Sequence, residues 1–370
     1  MGRGPRAVED VVSKAGLAAS APLVAPRADL DEIVRRSERA LRELSGRTLL
    51  VAGAAGFLGA YLAHAVAHAN DVALERSCSL VLLDNFATGS LGRLAPLDGR
   101  RDCRIVRRSL EELDGVAADT VVHAASIASP AVYRRLPLET IEVNVLGTWR
   151  LLRLAQEAGV RSLLYLSSSE VYGDPSADAI PTPEDYAGRV SFTGPRACYD
   201  ESKRLAETLC RLYFERHDLP VKVARPFNVY GPTLSLDDGR VIPDLVRQAV
   251  AGGPLVLHSD GTPTRSFCYV TDAIAAFLEL LVSDHEGEPF NVGNPEEVTM
   301  SDLARVVADV AGIHDIRHER ADDDRYLVDN PQRRCPDIRK ITATTAWRPQ
   351  VSLREGIRRT LAHHGVAGKS

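Results

Sequence analysis

The chain has 370 residues, enough to bury a large core in one or two domains, and its 45% hydrophobic and 26% charged residues are ordinary for a globular protein. A formal net charge of −5 argues against a nucleic-acid partner, and there is no apolar run of about 18 residues to span a membrane. The six cysteines form no C-x-x-C pair and the N-terminus has no signal-peptide pattern, so the thiols are expected reduced, the metal content nil and the location cytoplasmic.

Residues 1 to about 28 are rich in Ala, Gly, Pro and Arg without sustained period, and are expected to be mobile. Residues 29–45 place Leu30, Ile33, Val34, Ala40, Leu41 and Leu44 roughly on one face, which predicts a helix packed on the domain or on a neighbouring subunit. The mixed charges there give no reason for a membrane-surface role. From Arg47 the rhythm becomes strand, helix, strand. Thr48–Ala52 is a predicted strand, 53–59 a glycine-rich turn, 60–69 a helix and 80–83 a second strand ending at Asp84. Further strands are predicted at Thr120–His123 and 163–167, with a helix over about 138–158 between them. This alternation predicts an α/β fold, a Rossmann-like doubly wound parallel sheet over 46–225, behind an N-terminal extension at 1–45. After about Arg225 the segments shorten and Pro and Gly increase. A smaller C-terminal α/β substrate domain is expected over 226–365.

The turn after the first strand reads G-x-x-G-x-x-G through Gly53, Gly56 and Gly59, followed by a helix that starts near Phe57 and Leu58. Glycines there permit a tight turn and close backbone approach to a pyrophosphate at the helix N-terminus. Asp84, at the end of the next strand, would accept hydrogen bonds from ribose hydroxyls and repel a 2′-phosphate, so the expected cofactor is NAD rather than NADP. Asn85 and Ala124, at neighbouring strand ends, complete the expected cofactor contacts.

Tyr199 and Lys203 are four residues apart, so a helix would put them on one face. The ammonium would then lower the phenol from its usual pKa of about 10, letting Tyr199 take a proton from a sugar hydroxyl near neutral pH. Lysine is scarce (only Lys14, Lys203, Lys222, Lys340 and Lys369), so this one is not background. About thirty residues upstream lies Ser167-Ser168-Ser169-Glu170.

With these motifs in place, the chain resembles the extended short-chain dehydrogenase/reductases that act on nucleotide sugars, from about Arg47 to about Thr360. Within them it is most similar to the UDP-glucuronate decarboxylases. The segments that carry the closer match are SSSEVYGDP (167–175), GPRACYDESKRLAET (194–208), DGRVIPDLVRQA (238–249), GTPTRSFCYVTD (261–272), FNVGNPEE (290–297) and RRCPDIRK (333–340). The resemblance implies NAD-dependent oxidation at C4 of UDP-glucuronate, loss of C6 as carbon dioxide and re-reduction to UDP-xylose. Tyr199 would remove the 4-hydroxyl proton, Lys203 would hold the nicotinamide ribose, and Ser168 or Ser169 would bind the 4-oxygen. Arg265 would face the reacting carboxylate; with an arginine pKa above ~12 its role is electrostatic. Tyr133 would contact the carboxylate, and Asn228, Arg240 and Arg334 the UDP moiety, since guanidinium forks suit a diphosphate. Asn144 would be structural and His123 part of the pocket wall. The acidic run at 321–324 is read as solvated. A homodimer is implied, through helices near 138–158 and 200–216.

The Ser169-Glu170 pair separates neighbouring reactions. In this family a 4,6-dehydratase has Asp-Glu there, the aspartic acid protonating a leaving 6-hydroxyl, and a 4-epimerase typically has a small or apolar residue where Glu170 stands. Glu170 would position a water or act on the substrate carboxylate by charge. A non-catalytic NAD-sensing protein on the same fold would be expected to lack Tyr199 or Lys203. The chain departs from the decarboxylase pattern at Thr233, usually arginine after Tyr-Gly-Pro, and at Ser109, often acidic near adenine. The first departure makes release of a UDP-4-keto-pentose the alternative outcome.

Overall fold

The apolar runs of the first half become strands buried on both faces. The computed structural model describes residues 23–319 and 331–366; the expectations for residues 1–22 and for the acidic run at 321–324 lie outside it. Two helices, α1 (Arg27–Arg36) and α2 (Glu38–Leu44), precede strand β1 (Thr48–Ala52) and helix α3 (Phe57–Val72). Then come β2 (Ser79–Asp84), β3 (Cys103–Arg107), β4 (Thr120–His123), α4 (Thr148–Ala158), β5 (Ser162–Leu166), α5 (Ala197–His217), β6 (Val221–Pro226) and β7 (Val229–Tyr230). The C-terminal part adds α6 (Val241–Val250), β8 (Leu255–Leu257), β9 (Thr264–Ser266), β10 (Cys268–Tyr269), α7 (Val270–Leu281), β11 (Pro289–Val292) and β12 (Glu297–Thr299). It closes with α8 (Met300–Ala311), β13 (Ile316–His318), β14 (Arg333–Arg334) and α9 (Leu353–His363).

The main sheet has seven strands in the order β11-β6-β5-β4-β1-β2-β3, paired in parallel throughout. The chain runs outward from β1 in both directions, so the order reverses between β1 and β4. Such a reversal opens a crevice at the carboxyl ends of the strands, where ligands bind in doubly wound sheets. Helix α7 returns to this sheet from the C-terminal half, its Leu281 carbonyl accepting a 2.6 Å hydrogen bond from Ser162. The smaller unit carries short ladders, β8 with β13 and β9 with β12 and β14, packed with α6, α8 and α9.

Two expected helices are divided. The 29–45 stretch breaks at Ser37 (φ −113°, ψ 22°), giving α1 and α2. The 138–158 stretch is a short helix Pro137–Ile141, a wide π turn Glu142–Gly147, and then α4. The π turn brings Asn144 inward. It accepts from Ser126 Oγ (2.7 Å) and donates to Ser202 Oγ (2.9 Å), tying the crevice wall to α5; π turns are frequent at functional sites.

Helix α1 lies between the two units. Its buried Asp29 accepts from Tyr61 of α3 (3.1 Å) and Tyr269 of β10 (2.8 Å), and pairs with Arg359 of α9 (3.2 Å). Glu32 also pairs with Arg359 (2.6 Å), and Arg36 pairs with Asp272 of α7 (2.6 Å). Removing one member of a buried ionic cluster leaves its partners uncompensated, which costs about 3 kcal/mol or more. Asp29→Ala is therefore expected to lower the unfolding free energy by about 3 kcal/mol. Urea denaturation measures this, and a midpoint equal to wild type would refute the clasp.

Candidate active site

The crevice is built first by the glycine turn. Gly53 has φ 82°, a left-handed conformation, and a Cβ there would lie 2.5 Å from the Ala125 amide nitrogen beyond β4. A Cβ on Gly59 would lie 2.2 Å from the Gly53 carbonyl oxygen, so α3 can approach the turn only as glycine. Gly56 caps α3 without a side chain, leaving the helix's first amides to the crevice. Asp84 accepts from the Ala55 amide (2.8 Å) and the Phe86 amide (2.7 Å), which holds the turn against the end of β2. Burial pushes the Asp84 carboxyl up, and those two amides pull it back down.

Across the crevice, Tyr199 and Lys203 stand in the first turns of α5. Lys203 Nζ donates to the Leu166 carbonyl at the end of β5 (2.8 Å) and lies 4.8 Å from the Tyr165 ring centre. Tyr133 stacks on Tyr199 with ring centres 5.1 Å apart and planes 11° apart. Its hydroxyl is buried with no hydrogen-bond partner among the described residues. Ser168 lies beside Tyr199 on the same cavity, and its Oγ accepts from the Glu170 amide (3.2 Å). The expectation that Lys203 lowers the phenol needs correction. Burial pushes Tyr199 up to about 12, with Ser168 pulling the other way, and pushes Lys203 down to about 7, opposed by Glu207. Desolvation disfavours the charged form of both groups and is the largest influence on each.

The strongest electrostatic feature surrounds Glu170. Both its oxygens bind Arg334, one contact at 2.7 Å, and Oε2 also meets Arg196 Nη2 at 2.5 Å. Arg196 lies 3.9 Å from Asp200 as well. Burial works against the Glu170 carboxylate, but Arg196 and Arg334 hold it well below the usual carboxylate range. Arg265 faces Arg334 directly across the β9–β14 ladder. Burial, then the Arg334 and Arg196 guanidiniums, push Arg265 down to about 9, so it is a less extreme cation than expected from sequence, though still charged at neutral pH. Three guanidiniums thus converge where Glu170 and Asp200 supply two negative charges.

Three adjoining cavities trace the crevice. One of about 280 Å³ is lined by Gly53, Gly56, Asp84, Asn85, Ser109 and Ala124. Glu111, two residues beyond Ser109, lines it too. The next, about 180 Å³, contains Gly56 to Gly59, Tyr133, Ser168, Ser169, Tyr199 and Lys203. The third, about 500 Å³, shares Glu170, Arg196, Asn228 and Arg240 with the second and adds Arg265 and Arg334. Every site residue expected from sequence lines one of the three. Arg334 differs from its expectation, because its guanidinium is turned to Glu170 rather than left open to a diphosphate. Arg240 pairs with Asp238, and Asn228 donates to the Ser266 carbonyl (2.9 Å). His123 lines none of them. It is buried against Thr148 Oγ1 (2.8 Å), and burial pushes it down to about 3, so it is neutral. Sequence reasoning missed Arg196 and Arg134, the latter also on the large cavity. Arg196 stood three residues before Tyr199, a helical spacing that would have flagged it.

Residues 49–293 match the NAD dependent epimerase/dehydratase family. The chain belongs to that family. It is 40% identical over 314 residues to UDP-glucuronic acid decarboxylase 5 of Arabidopsis thaliana, covering 85% of this chain and 88% of that one. It is 36% identical to UDP-glucuronic acid decarboxylase 1 of Xenopus tropicalis, over 87% of this chain and 73% of that one. Among solved structures, dTDP-glucose 4,6-dehydratase from Streptomyces venezuelae with NAD bound superposes with a TM-score of 0.75 at 26% identity, over 86% of this chain and 97% of that one. The family's NAD fits the crevice: the uncapped amides of α3 suit a pyrophosphate, and Asp84 lies at the rim of the adjoining cavity. Among the described residues no His, Cys, Asp and Glu cluster could hold a metal ion, and no helix is long and apolar enough to cross a membrane.

Glu170 belongs to the group whose folded pKa is depressed. Its stabilising contribution is full above its ordinary value of 4.5 and fades as pH falls below that toward its lowered folded value. Glu170→Gln is expected to cost about 3 kcal/mol at pH 7, with the gap from wild type narrowing below pH 4.5. Thermal melts over a pH series measure it; a gap independent of pH would contradict the ion-pair assignment.

Proposed function

We propose that this protein decarboxylates UDP-glucuronate to UDP-xylose with NAD. The observation that carries the reading is the convergence of Arg196, Arg265 and Arg334 beside Tyr199 and Ser168, in a chain 40% identical to a UDP-glucuronic acid decarboxylase. A substrate that carries both a diphosphate and a carboxylate matches a cavity with surplus guanidinium charge. NAD, held at the turn of Gly53, Gly56 and Gly59, would supply a hydride acceptor and donor for the sugar C4.

Tyr199, beside Ser168, takes the 4-hydroxyl proton as its phenolate. Its raised pKa makes that phenolate a strong base for the proton. Lys203, anchored on the Leu166 carbonyl, places its amine 5.9 Å from the ring centre of Tyr199. The resulting 4-ketone is β to the C6 carboxylate, so the C5–C6 bond breaks with its electron pair passing into an enolate and carbon dioxide leaving. Ser168 and the guanidiniums stabilise that negative charge, and no metal is needed. A water molecule then gives a proton to C5. Glu170, locked as a carboxylate by Arg196 and Arg334, positions the arginines rather than donating a proton. Ser169 cannot protonate a leaving 6-hydroxyl, which disfavours dehydration. Residues 46–225 with the return near 262–282 hold NAD, and 226–365 hold most of the nucleotide sugar; Asn228 and Arg240 face the diphosphate.

The protein is also proposed to act in the cytoplasm as a homodimer. Leu138, Ile141, Leu146 and Trp149 on the 137–158 stretch, with Leu205 and Leu212 of α5, are exposed apolar side chains on the two helices implicated by resemblance. A second copy would bury them in a four-helix bundle. Trp149→Glu is expected to yield monomers by light scattering at micromolar concentration; a persistent dimer would reject this face.

The activity is tested by a proton NMR time course with UDP-glucuronate and NAD. UDP-xylose without lasting NADH is expected, and Tyr199→Phe should lower kcat by about 10²-fold or more. Turnover of UDP-glucose or dTDP-glucose instead would overturn the assignment.

A further inference from the structure

Arg93 lies in the segment after β2 that folds over the glycine turn, and it is 7% exposed. Its guanidinium reaches two carbonyls from different parts of the molecule. Nη1 donates to Ala55 O in the turn (3.3 Å), and Nη2 donates to Thr233 O (3.0 Å) in the segment that leads to Asp238 and Arg240. The Ala55 peptide is thereby held from both sides, because its amide donates to Asp84 and its carbonyl also accepts from the Ser90 amide (3.1 Å). The 231–233 segment is close-packed on the same region. Thr233 is buried, and a Cβ on Gly231 would lie 2.6 Å from Val270 Cγ1 and 3.6 Å from Phe57 Cζ. Arg93 is itself fixed, its carbonyl lying 2.7 Å from His64 Nε2 of α3, while His64 Nδ1 accepts from the Ala25 amide (3.3 Å). Asp84 and Asp238 are its nearby counter-charges, one at the cofactor rim and one beside Arg240.

The resemblance to the decarboxylases implies an arginine where this chain has Thr233. We propose that Arg93 is a positioning residue that locks the pyrophosphate turn to the 231–233 segment, supplying from the cofactor side the guanidinium that the resemblance implies at 233. A planar fork can bridge two carbonyls at once; a lysine point charge cannot hold both in fixed geometry. Losing the fork strips Thr233 O of this donor and leaves Asp84 without its neighbouring cation, so the turn loosens around the dinucleotide. The inference rests on the family's use of NAD. It uses the proposed sugar reaction only in its second readout.

The test uses the full chain with Arg93→Gln, Arg93→Lys, Thr233→Arg and the double variant Arg93→Gln/Thr233→Arg. The first readout is NAD affinity by calorimetry on protein whose folding is checked by circular dichroism. Arg93→Gln is expected to weaken NAD at least tenfold and Arg93→Lys to fall between it and wild type. The double variant should recover most of the loss, whereas Thr233→Arg alone, crowding a second guanidinium beside Arg93, should not improve on wild type. The second readout is the share of UDP-glucuronate turnover that ends as 4-keto-pentose with the cofactor left reduced, which should rise in Arg93→Gln and fall in the double variant. Folded Arg93→Gln that binds NAD within twofold of wild type, or a double variant no better than the single one, would overturn the proposal. Should Arg93→Gln fail to fold, Arg93→Lys against wild type decides it by the same affinity criterion. Failure of the sugar reaction alone would reject the function proposed above and leave the NAD readout standing.

Discussion

The crevice depends on how closely the backbone of the glycine turn approaches two neighbours. The turn sits against the chain leaving β4 and under the first coil of α3, at distances where one added methyl group would collide with main-chain atoms. That contact sets the height of α3 above the sheet and points its uncapped amides into the gap between β1 and β4. Asp84 and the segment behind it then clamp the turn from the other side. The positions of Tyr199 and Lys203 matter only because the opposite wall is fixed in this way.

The chemistry of the opposite wall is a matter of charge out of water. Burial disfavours the charged forms of both Tyr199 and Lys203, and it makes an isolated Glu170 costly. Glu170 stays ionised because two guanidiniums neutralise it, and those guanidiniums in turn have a reason to remain side by side. A buried ion cluster of this type adds little net stability compared with an apolar core. What it adds is a fixed arrangement of cations ready for an anionic ligand, so reorganisation at the moment of reaction is small.

Much of this was legible in the sequence because it rests on local rules. The glycine spacing, Asp84 at a strand end and the Tyr199–Lys203 spacing each follow from the geometry of one turn, one strand or one helix. The resemblance then placed Arg265, Arg334 and Tyr133 on the same crevice. What escaped was set by distant partners. Arg334 meets Glu170 across 164 residues of chain, and whether it faces a ligand or a carboxylate is decided by that partner. The π turn around Asn144 has no signature of its own, because it is imposed by hydrogen bonds to Ser126 and Ser202. The direction of the Tyr199 shift was misjudged because helix spacing says nothing about burial. Arg93 looked like one more arginine in an arginine-rich chain until its two carbonyl partners were seen together.

Helix α1 has a consequence for how the molecule moves. Two units joined only by loops can swing about a hinge, and many enzymes admit and release ligands that way. Here one helix holds the Tyr61 hydroxyl of α3 and charged groups of α7 and α9 at once, through Asp29, Glu32 and Arg36. A wholesale opening would pull several ion pairs apart in a dry setting, so it would be rare. Ligands would then have to enter and leave the crevice by movements smaller than a swing of one unit against the other.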